Sequence, residues 1–513
     1  MSYLELLKLA APEAIVLVAA LVILTIGLVT GRRGAGASGS VPGPGNAGDR
    51  PNAFAGETPA APSGRVYPFV AAIGLAFAAA AVLPLPSHAT LFHGMLVISP
   101  LNSLFKIICL ALAFFTVILA RGEHALPNKG EYLAMILLAT IGLLLLVGSE
   151  ELLMIFIGLE LTGLSLYVMT AFDKEHRSSS EAGLKYFLFG SLASAFTLFG
   201  LSFIYGLTGT TTLASIAQRL AAAPIEPLLG AGIVMTLIGF AFKIAAAPFH
   251  LWAPDVYQGA PVSTAAFIAS GSKVASFVVL GKIVLIGFGP VPGSANWHGM
   301  ASGWTLILAV LAALSILIGN LVALAQKNVR RLLAYSAVAH AGYTLVGLVA
   351  AGPLGFSATL FYTTIYGITL VGAFGVVALV RRECGGDDLS DFAGLRTRSP
   401  LLAGCMAIFM LSLAGLPPLA GFLGKFYLFS AAFRAGQNHG LFWLVVLALF
   451  GSLISLYYYL IVLKAIFIDE SNRAFAFPPD YLQRVAITVL AGTVLFLGLM
   501  PETLLARILA SVT

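Results

Sequence analysis

The chain has 513 residues, 59% of them hydrophobic and only 10% charged, and its mean hydropathy is +0.97. That leaves too little polar side chain to coat a water-soluble globule, so the composition excludes a soluble enzyme and defines a polytopic membrane protein. The net charge of +6 is a topology signal, argued below, and does not point to nucleic acid.

Apolar runs long enough to cross about 30 Å of hydrocarbon as helices fall at 12–31, 67–86, 100–120, 131–149, 151–172, 183–206, 228–248, 262–287, 303–326, 329–350, 355–380, 400–433, 440–467 and 485–508. The expectation is an all-α membrane protein of about fourteen transmembrane helices. Cytoplasmic loops accumulate Lys and Arg. With the N-terminus outside, eighteen basic residues fall in inner loops, among them Arg32, Arg33, Lys327, Arg330, Arg331, Arg381 and Arg382. Only Lys8, Arg219, Arg434 and Arg507 fall outside.

The first run has Glu5, Lys8 and Glu13 at its start, no strongly basic segment and no small-residue cleavage pattern. It reads as a retained helix rather than a signal peptide. Residues 31–66 are rich in Gly, Pro, Ala and Ser and read as a flexible cytoplasmic loop. Gly34, Gly36 and Gly39 there match G-x-G-x-x-G, but without the flanking strand and helix that a pyrophosphate site needs. Lys106 in the third run and Lys282 in the eighth lie near helix ends, where a long side chain snorkels to the interface. Cys109, Cys384 and Cys405 are far apart without a C-x-x-C pair, which argues against a disulfide framework or metal cluster.

Glu160 lies near the middle of the fifth run and is the one acidic residue placed deep in a span. Burial pushes a carboxylate towards its neutral form and a nearby cation pushes it back, so Lys243 or another base should be its partner. The seventh run carries Lys243 and then breaks at Ala-Ala-Ala-Pro248-Phe-His250-Leu-Trp-Ala-Pro254, since proline removes a donor and clashes with the preceding turn. Lys273 follows in the eighth run. His340, in the tenth, could bridge two lysine sites or be a hydrogen-bonded core histidine. His250, at the first break, reads equally as relay or helix-end residue. The twelfth run breaks at Gly415-Leu-Pro417-Pro418-Leu-Ala-Gly421, just before Lys425. The lysine precedes the first break and follows the second, as an inverted repeat of helices 4–8 and 9–13 would give. Tyr457, Tyr458 and Tyr459 read as packing or an interfacial belt.

A charge at the centre of a membrane helix costs about 2.5 to 3.5 kcal/mol, so a spaced set asks for a function. Glu160, Lys243, Lys273 and Lys425 read as a proton relay, with His340 and His250 as possible members. The competing reading is a static buried ion pair, which three lysines and one glutamate on four helices do not balance. No metal spacing, nucleotide loop or nucleophile triad occurs, so no redox or hydrolytic chemistry is expected in this chain.

The segments Gly158–Tyr167, Phe242–Pro261, Gly271–Lys273, Gln326–Ser336 and Pro417–Lys425 resemble the antiporter-like membrane subunits of respiratory complex I. Within that family, lysine at the twelfth-helix position and a chain ending just after the fourteenth helix resemble the N-type branch. The resemblance implies a proton-translocating subunit of a bacterial NADH-quinone oxidoreductase. Glu160 and Lys243 would form the input pair, Lys273 the central relay and Lys425 the group leading outwards. It also implies no cofactor in this chain, with NADH, FMN, Fe-S clusters and quinone on partner subunits. The expected partners are other complex I membrane subunits and the lipid bilayer, with quinone coupled indirectly and no nucleic acid. The location would be the bacterial inner membrane with a periplasmic N-terminus. The expected organisation is helices 1–3 in residues 1–130, repeats at 131–287 and 303–467, and a last helix in 468–513. Two alternatives use the same pattern: an Mrp-type cation/proton antiporter, and a structural subunit of a membrane hydrogenase-like complex.

Overall fold

The computed structural model describes residues 3–35, 63–123, 128–222, 227–435, 439–470 and 480–512. Gly36 and Gly39 of the G-x-G-x-x-G stretch and most of the Gly- and Pro-rich segment lie outside them, whereas the ends of that segment, 31–35 and 63–66, are helical and not loop. Among the described residues, ten helices are long and apolar enough to cross a membrane, and four shorter apolar ones occur at Ala11–Gly27, Val66–Val82, Pro227–Lys243 and Pro400–Ala414.

After the short α1 (Tyr3–Leu9), α2 (Ala11–Ala35) and α3 (Ser63–Val82) pack together and against α4 (Pro100–Arg121) and α5 (Lys129–Gly148). α6 (Leu152–Thr170) and the long α7 (Arg177–Thr208) follow. Then comes α8 (Leu213–Ala222), a short helix that buries Leu213, Ile216 and Leu220 on one side, the spacing of an amphipathic helix. α9 (Pro227–Lys243) and α10 (Ala253–Gly259) are the halves of the first broken helix. The next span runs Val262–Gly287, with α11 (Val262–Phe267) and α12 (Lys273–Lys282) joined by a π-helical turn at Ile268–Ser272. Beyond α13 (Trp304–Ala323), α14 (Val329–Val349), α15 (Gly352–Cys384) and the single turn α16 (Leu395–Arg398), α17 (Pro400–Ala414) and α18 (Ala420–Arg434) form the second broken helix. α19 (Phe442–Phe467), α20 (Tyr481–Leu499) and α21 (Glu502–Val512) complete the chain.

The starts of these helices are written in their caps. Ser99 accepts from the Asn102 N–H with Pro100 in the first turn, Glu151 from Met154, Asn328 from Arg331 and Asp480 from Gln483, each satisfying an orphan donor. Burial sorts the bundle. Val262–Gly287 and Val329–Val349 are 94% buried over their apolar stretches, whereas Arg177–Thr208 is 33% buried. The former are the axis of the bundle and the latter its wall.

Two expectations need correction, and one small element was not expected. The last apolar run is two helices, because Pro501 cannot donate within a helix and α20 ends at Leu499. A small antiparallel hairpin, β1 (Ala89–Leu91) with β2 (Leu96–Ile98), precedes α4, its Leu91, Leu96 and Ile98 forming a local apolar cluster. Lys106 and Lys282 do not snorkel. Lys106 pairs with Glu13 at 2.6 Å, whose carboxylate is also buried. Lys282, 1% exposed, donates to the Val147 carbonyl at 2.8 Å and to Asn102 Oδ1 at 2.5 Å. Nearness to a helix end did not put them at the interface, since neighbouring helices supplied acceptors first.

Candidate functional site

Both breaks occur where the prolines place them, and in each the freed backbone finds side-chain partners, as membrane depth demands. After Lys243, the last residue of α9, Ala245 takes a left-handed φ of 57°, a conformation uncommon outside glycine. The Ala247 N–H then donates to Ser315 Oγ of α13 at 2.8 Å, and Trp252 Nε1 donates to the Phe242 carbonyl at 3.1 Å. In the second break Gly415 closes α17 in the left-handed conformation, φ 85°, the usual glycine stop. The Gly421 N–H donates to Ser412 Oγ at 3.2 Å, and Lys425 Nζ itself donates to the Ala414 carbonyl at 3.0 Å. An ammonium at the C-terminal end of a half-helix meets the negative end of its dipole.

The four charged groups fall into two sites. At the first, Lys243 is buried, its Nζ 5.5 Å from the centre of the Tyr167 ring, within cation–π range. Neither Lys243 Nζ nor Tyr167 Oη has a hydrogen-bond partner among the described residues. Gly163 lets the lysine lie against α6, since a Cβ there would sit 2.7 Å from Nζ. Glu160, one turn away on α6, accepts a short hydrogen bond from Ser194 Oγ of α7. The expected Glu160–Lys243 contact is therefore not an ion pair in this conformation. Glu160 is half-buried on the same stripe of α6 as the exposed Leu153, Ile157, Leu164 and Val168, so it stands at the edge of the bundle. A carboxylate there requires cover by another polar partner.

At the second site, Lys273 directly follows the π-helical turn, a feature common at functional positions. Its Nζ donates to the Ala337 carbonyl of α14 at 2.7 Å and lies 5.5 Å from the Tyr366 ring centre. His340 of α14 packs against Tyr366, with ring centres 5.0 Å apart. It hydrogen-bonds Tyr362 Oη through Nδ1 at 2.5 Å and Tyr459 Oη through Nε2 at 3.0 Å. In its neutral form the imidazole donates at one nitrogen and accepts at the other, so it can pass a proton between those hydroxyls. Tyr459 also bonds Ser336. Tyr343, whose ring centre is 5.5 Å from that of His340, lies 5.1 Å from Lys425 Nζ. Lys425 also donates to Ser452 Oγ at 2.9 Å. A cavity of about 10 Å³ lined by His340, Tyr362, Tyr366, Thr369, Ser412 and Gly421 has room for about one water. Lys273, His340 and Lys425 thus form one buried polar cluster.

His250 is buried in the first break with Nδ1 unpartnered among the described residues and its ring 6.3 Å from Tyr335. It joins neither cluster by a hydrogen bond. Sequence reasoning missed the tyrosines. Tyr458 and Tyr459 are fully buried and hydrogen-bonded, Tyr458 to Asn320 Oδ1 at 3.1 Å, while Tyr457 is exposed, so the triplet is no interfacial belt. The signal was spacing: Tyr343 stands one turn from His340, and Tyr362 one turn from Tyr366.

Broken helices, buried lysines and a histidine bridge in an all-helical bundle define an ion-translocating membrane protein of antiporter-like architecture. Residues 149–455 match the family described as NADH:quinone oxidoreductase/Mrp antiporter, TM. NADH-quinone oxidoreductase subunit N 2 of Acidobacterium capsulatum is 42% identical, the match covering 98% of each chain. A chain in the structure of respiratory complex I from Thermus thermophilus with bound aureothin is 32% identical with a TM-score of 0.76, covering 96% of this chain and 98% of that one. A chain of the Mrp complex from Dietzia sp. DQ12-45-1b, 22% identical with a TM-score of 0.78 over 98% and 97% of the two chains, shares the fold. The chain belongs to the NADH:quinone oxidoreductase/Mrp antiporter membrane-subunit family.

Proposed function

We propose that this chain is a proton-translocating membrane subunit of a bacterial NADH-quinone oxidoreductase, moving protons through Glu160, Lys243, Lys273, His340 and Lys425. The observation that carries this reading is the buried cluster linking Lys273 through Tyr366, His340 and Tyr343 to Lys425. Every side chain in it can hold, pass or stabilise a proton. Burial lets a lysine cycle between its charged and neutral forms.

In this reading Glu160 swings between Ser194 and Lys243, and the approach of its carboxylate to the ammonium is the switch. The state of that pair then sets whether Lys273 and Lys425 can load. The half-exposed Glu160 on the outer stripe of α6 supports a neighbouring membrane subunit that carries a complementary polar group. The redox chemistry and its cofactors, NADH, FMN, Fe-S clusters and quinone, belong to other subunits, and this chain holds none. It crosses the bacterial inner membrane fourteen times from a periplasmic N-terminus, with helices 1–3 in residues 1–130, inverted repeats over 131–287 and 303–467, and a C-terminal segment from 468 to 513.

The test is NADH-driven acidification in vesicles holding the intact complex with Lys273→Met. Loss of pumping in an assembled complex is expected. Wild-type pumping would turn the reading towards a structural subunit, and ion flux by this chain alone in vesicles would turn it towards a free-standing antiporter.

A further inference from the structure

The relay needs a place where protons enter, and one carboxylate outside the spans is built for it. Glu123 follows α4 at the face that carries most of the basic residues. It lines a cavity of about 340 Å³ together with Asp173, His176, Pro261 and Arg381. Its Oε1 accepts from the Ser263 N–H at 2.7 Å, at the start of the very span that carries Lys273, and its carboxylate also bonds the Ser263 side chain. Ser263 Oγ lies 2.7 Å from Tyr132 Oη of α5, which is 2.6 Å from Thr264 Oγ1. Carboxylate and three hydroxyls therefore form one connected chain, running inwards from the cavity.

We propose that Glu123 is the proton-loading group of this subunit, and that Ser263, Tyr132 and Thr264 conduct the proton from it into the bundle. This rests on the proton-translocating reading above. The step balances without any further reactant. A proton from the cavity neutralises the carboxylate, which then gives a proton to Ser263 Oγ. Ser263 passes its own to Tyr132, Tyr132 to Thr264, and Thr264 releases one inwards, so each hydroxyl ends neutral and the carboxylate is again an anion. Hydroxyls suit this because each both donates and accepts.

Burial pushes the Glu123 carboxyl above the ordinary carboxylate value, against the opposing pull of Ser263, Arg330 and Arg381, so it takes a proton more readily than an exposed glutamate. Lys129 is also within its electrostatic reach, and Asp173, His176 and Arg382 line the same cavity. From Thr264 to Lys273 is nine residues along one helical span, about 13 Å. Tyr366 lies next to Lys273, and its hydroxyl, like that of Tyr257, is buried without a hydrogen-bond partner among the described residues.

The experiment uses the intact complex carrying Glu123→Gln, Glu123→Asp, Tyr132→Phe or, as reference, Lys273→Met, with coupled NADH:quinone turnover as the readout. Glutamine still accepts from the Ser263 N–H but cannot carry a proton. E123Q and Y132F should lose turnover by roughly ten-fold or more, E123D should keep most of it, and added formate, a mobile weak acid, should restore E123Q but not K273M. Wild-type turnover in E123Q and Y132F beside an inactive K273M would overturn the entry site and leave the pump reading standing. Equal inactivity of E123Q and E123D without rescue by formate would make Glu123 a helix cap and overturn the proposal too. If K273M also turned over normally, it would be the pump reading that fails.

Discussion

The two lysine sites are held in opposite ways. Lys273, His340 and Lys425 have their own polar atoms tied to carbonyls and hydroxyls, although the Tyr366 hydroxyl beside them has no partner among the described residues. Around Lys243 the ammonium and the Tyr167 hydroxyl have no hydrogen-bond partner among the described residues, while Glu160 is turned to Ser194. An unpaired buried ammonium is costly, so the first site favours any rearrangement that gives Lys243 a partner, whereas the second is already organised. A device that switches at one end and conducts at the other would be built this way.

The largest effect that could break this comparison is on turnover. Lys243→Ala removes the proposed switching group and should lower coupled NADH:quinone turnover of the assembled complex by about 100-fold. A loss of less than two-fold would make the first site dispensable.

Next in size is an effect on stability that bears on the rigid half. At the basic face Asp387 pairs with Arg330, Arg381 lies 3.0 Å from it, and Asn328 also donates to it. This ties the start of α14 to the end of α15. Burial raises the Asp387 carboxyl, but Arg330, Asn328 and Arg381 outweigh it and hold the group below the ordinary value. A carboxyl depressed by folding stabilises above its unfolded value, near 3.9, and that stability is lost as pH falls through the lower folded value. Asp387→Asn should therefore destabilise the protein at neutral pH by about 3 to 5 kcal/mol and remove part of the loss seen on acidification. Thermal unfolding of the solubilised complex at several pH values measures both.

The sharpest contrast is between two tyrosines. Tyr459→Phe strands His340 Nε2 and the Ser336 hydroxyl and should cost about 1 to 3 kcal/mol. Tyr167→Phe removes a hydroxyl without a protein partner and should cost under about 0.5 kcal/mol. Equal costs, measured by unfolding in denaturant, would erase the distinction between the sites. The smallest expected effect is Ser194→Ala, which frees Glu160 to approach Lys243 by removing a hydrogen bond worth about 1 kcal/mol. It should alter the pH dependence of turnover without reducing its maximum.

Much of this arrangement was legible in the sequence. Glu160, Lys243, Lys273 and Lys425 stood out because a charge inside an apolar run is too costly to persist without a role, and the breaks because Pro248, Pro417 and Pro418 cannot continue a helix. His340 was visible as a candidate, but only packing could show that Tyr362 and Tyr459 hold both its ring nitrogens. Tyrosine serves equally in cores and at membrane interfaces, so the sequence left Tyr459 between packing and an interfacial belt, and burial decides for packing. Lys106 and Lys282 were misread because the position of a residue along a helix does not reveal whether its end faces lipid headgroups or another helix. The present rotamer of Glu160 could not be foreseen either, since nothing in the sequence shows that Ser194 of α7 comes within hydrogen-bond reach of it.

The most direct measurement is the proton-to-electron ratio of vesicles holding the complex with Lys425→Met beside the wild type. If Lys273, His340 and Lys425 conduct in series, the ratio falls or coupled turnover stops. An unchanged ratio at an unchanged rate would mean that protons do not pass through this cluster.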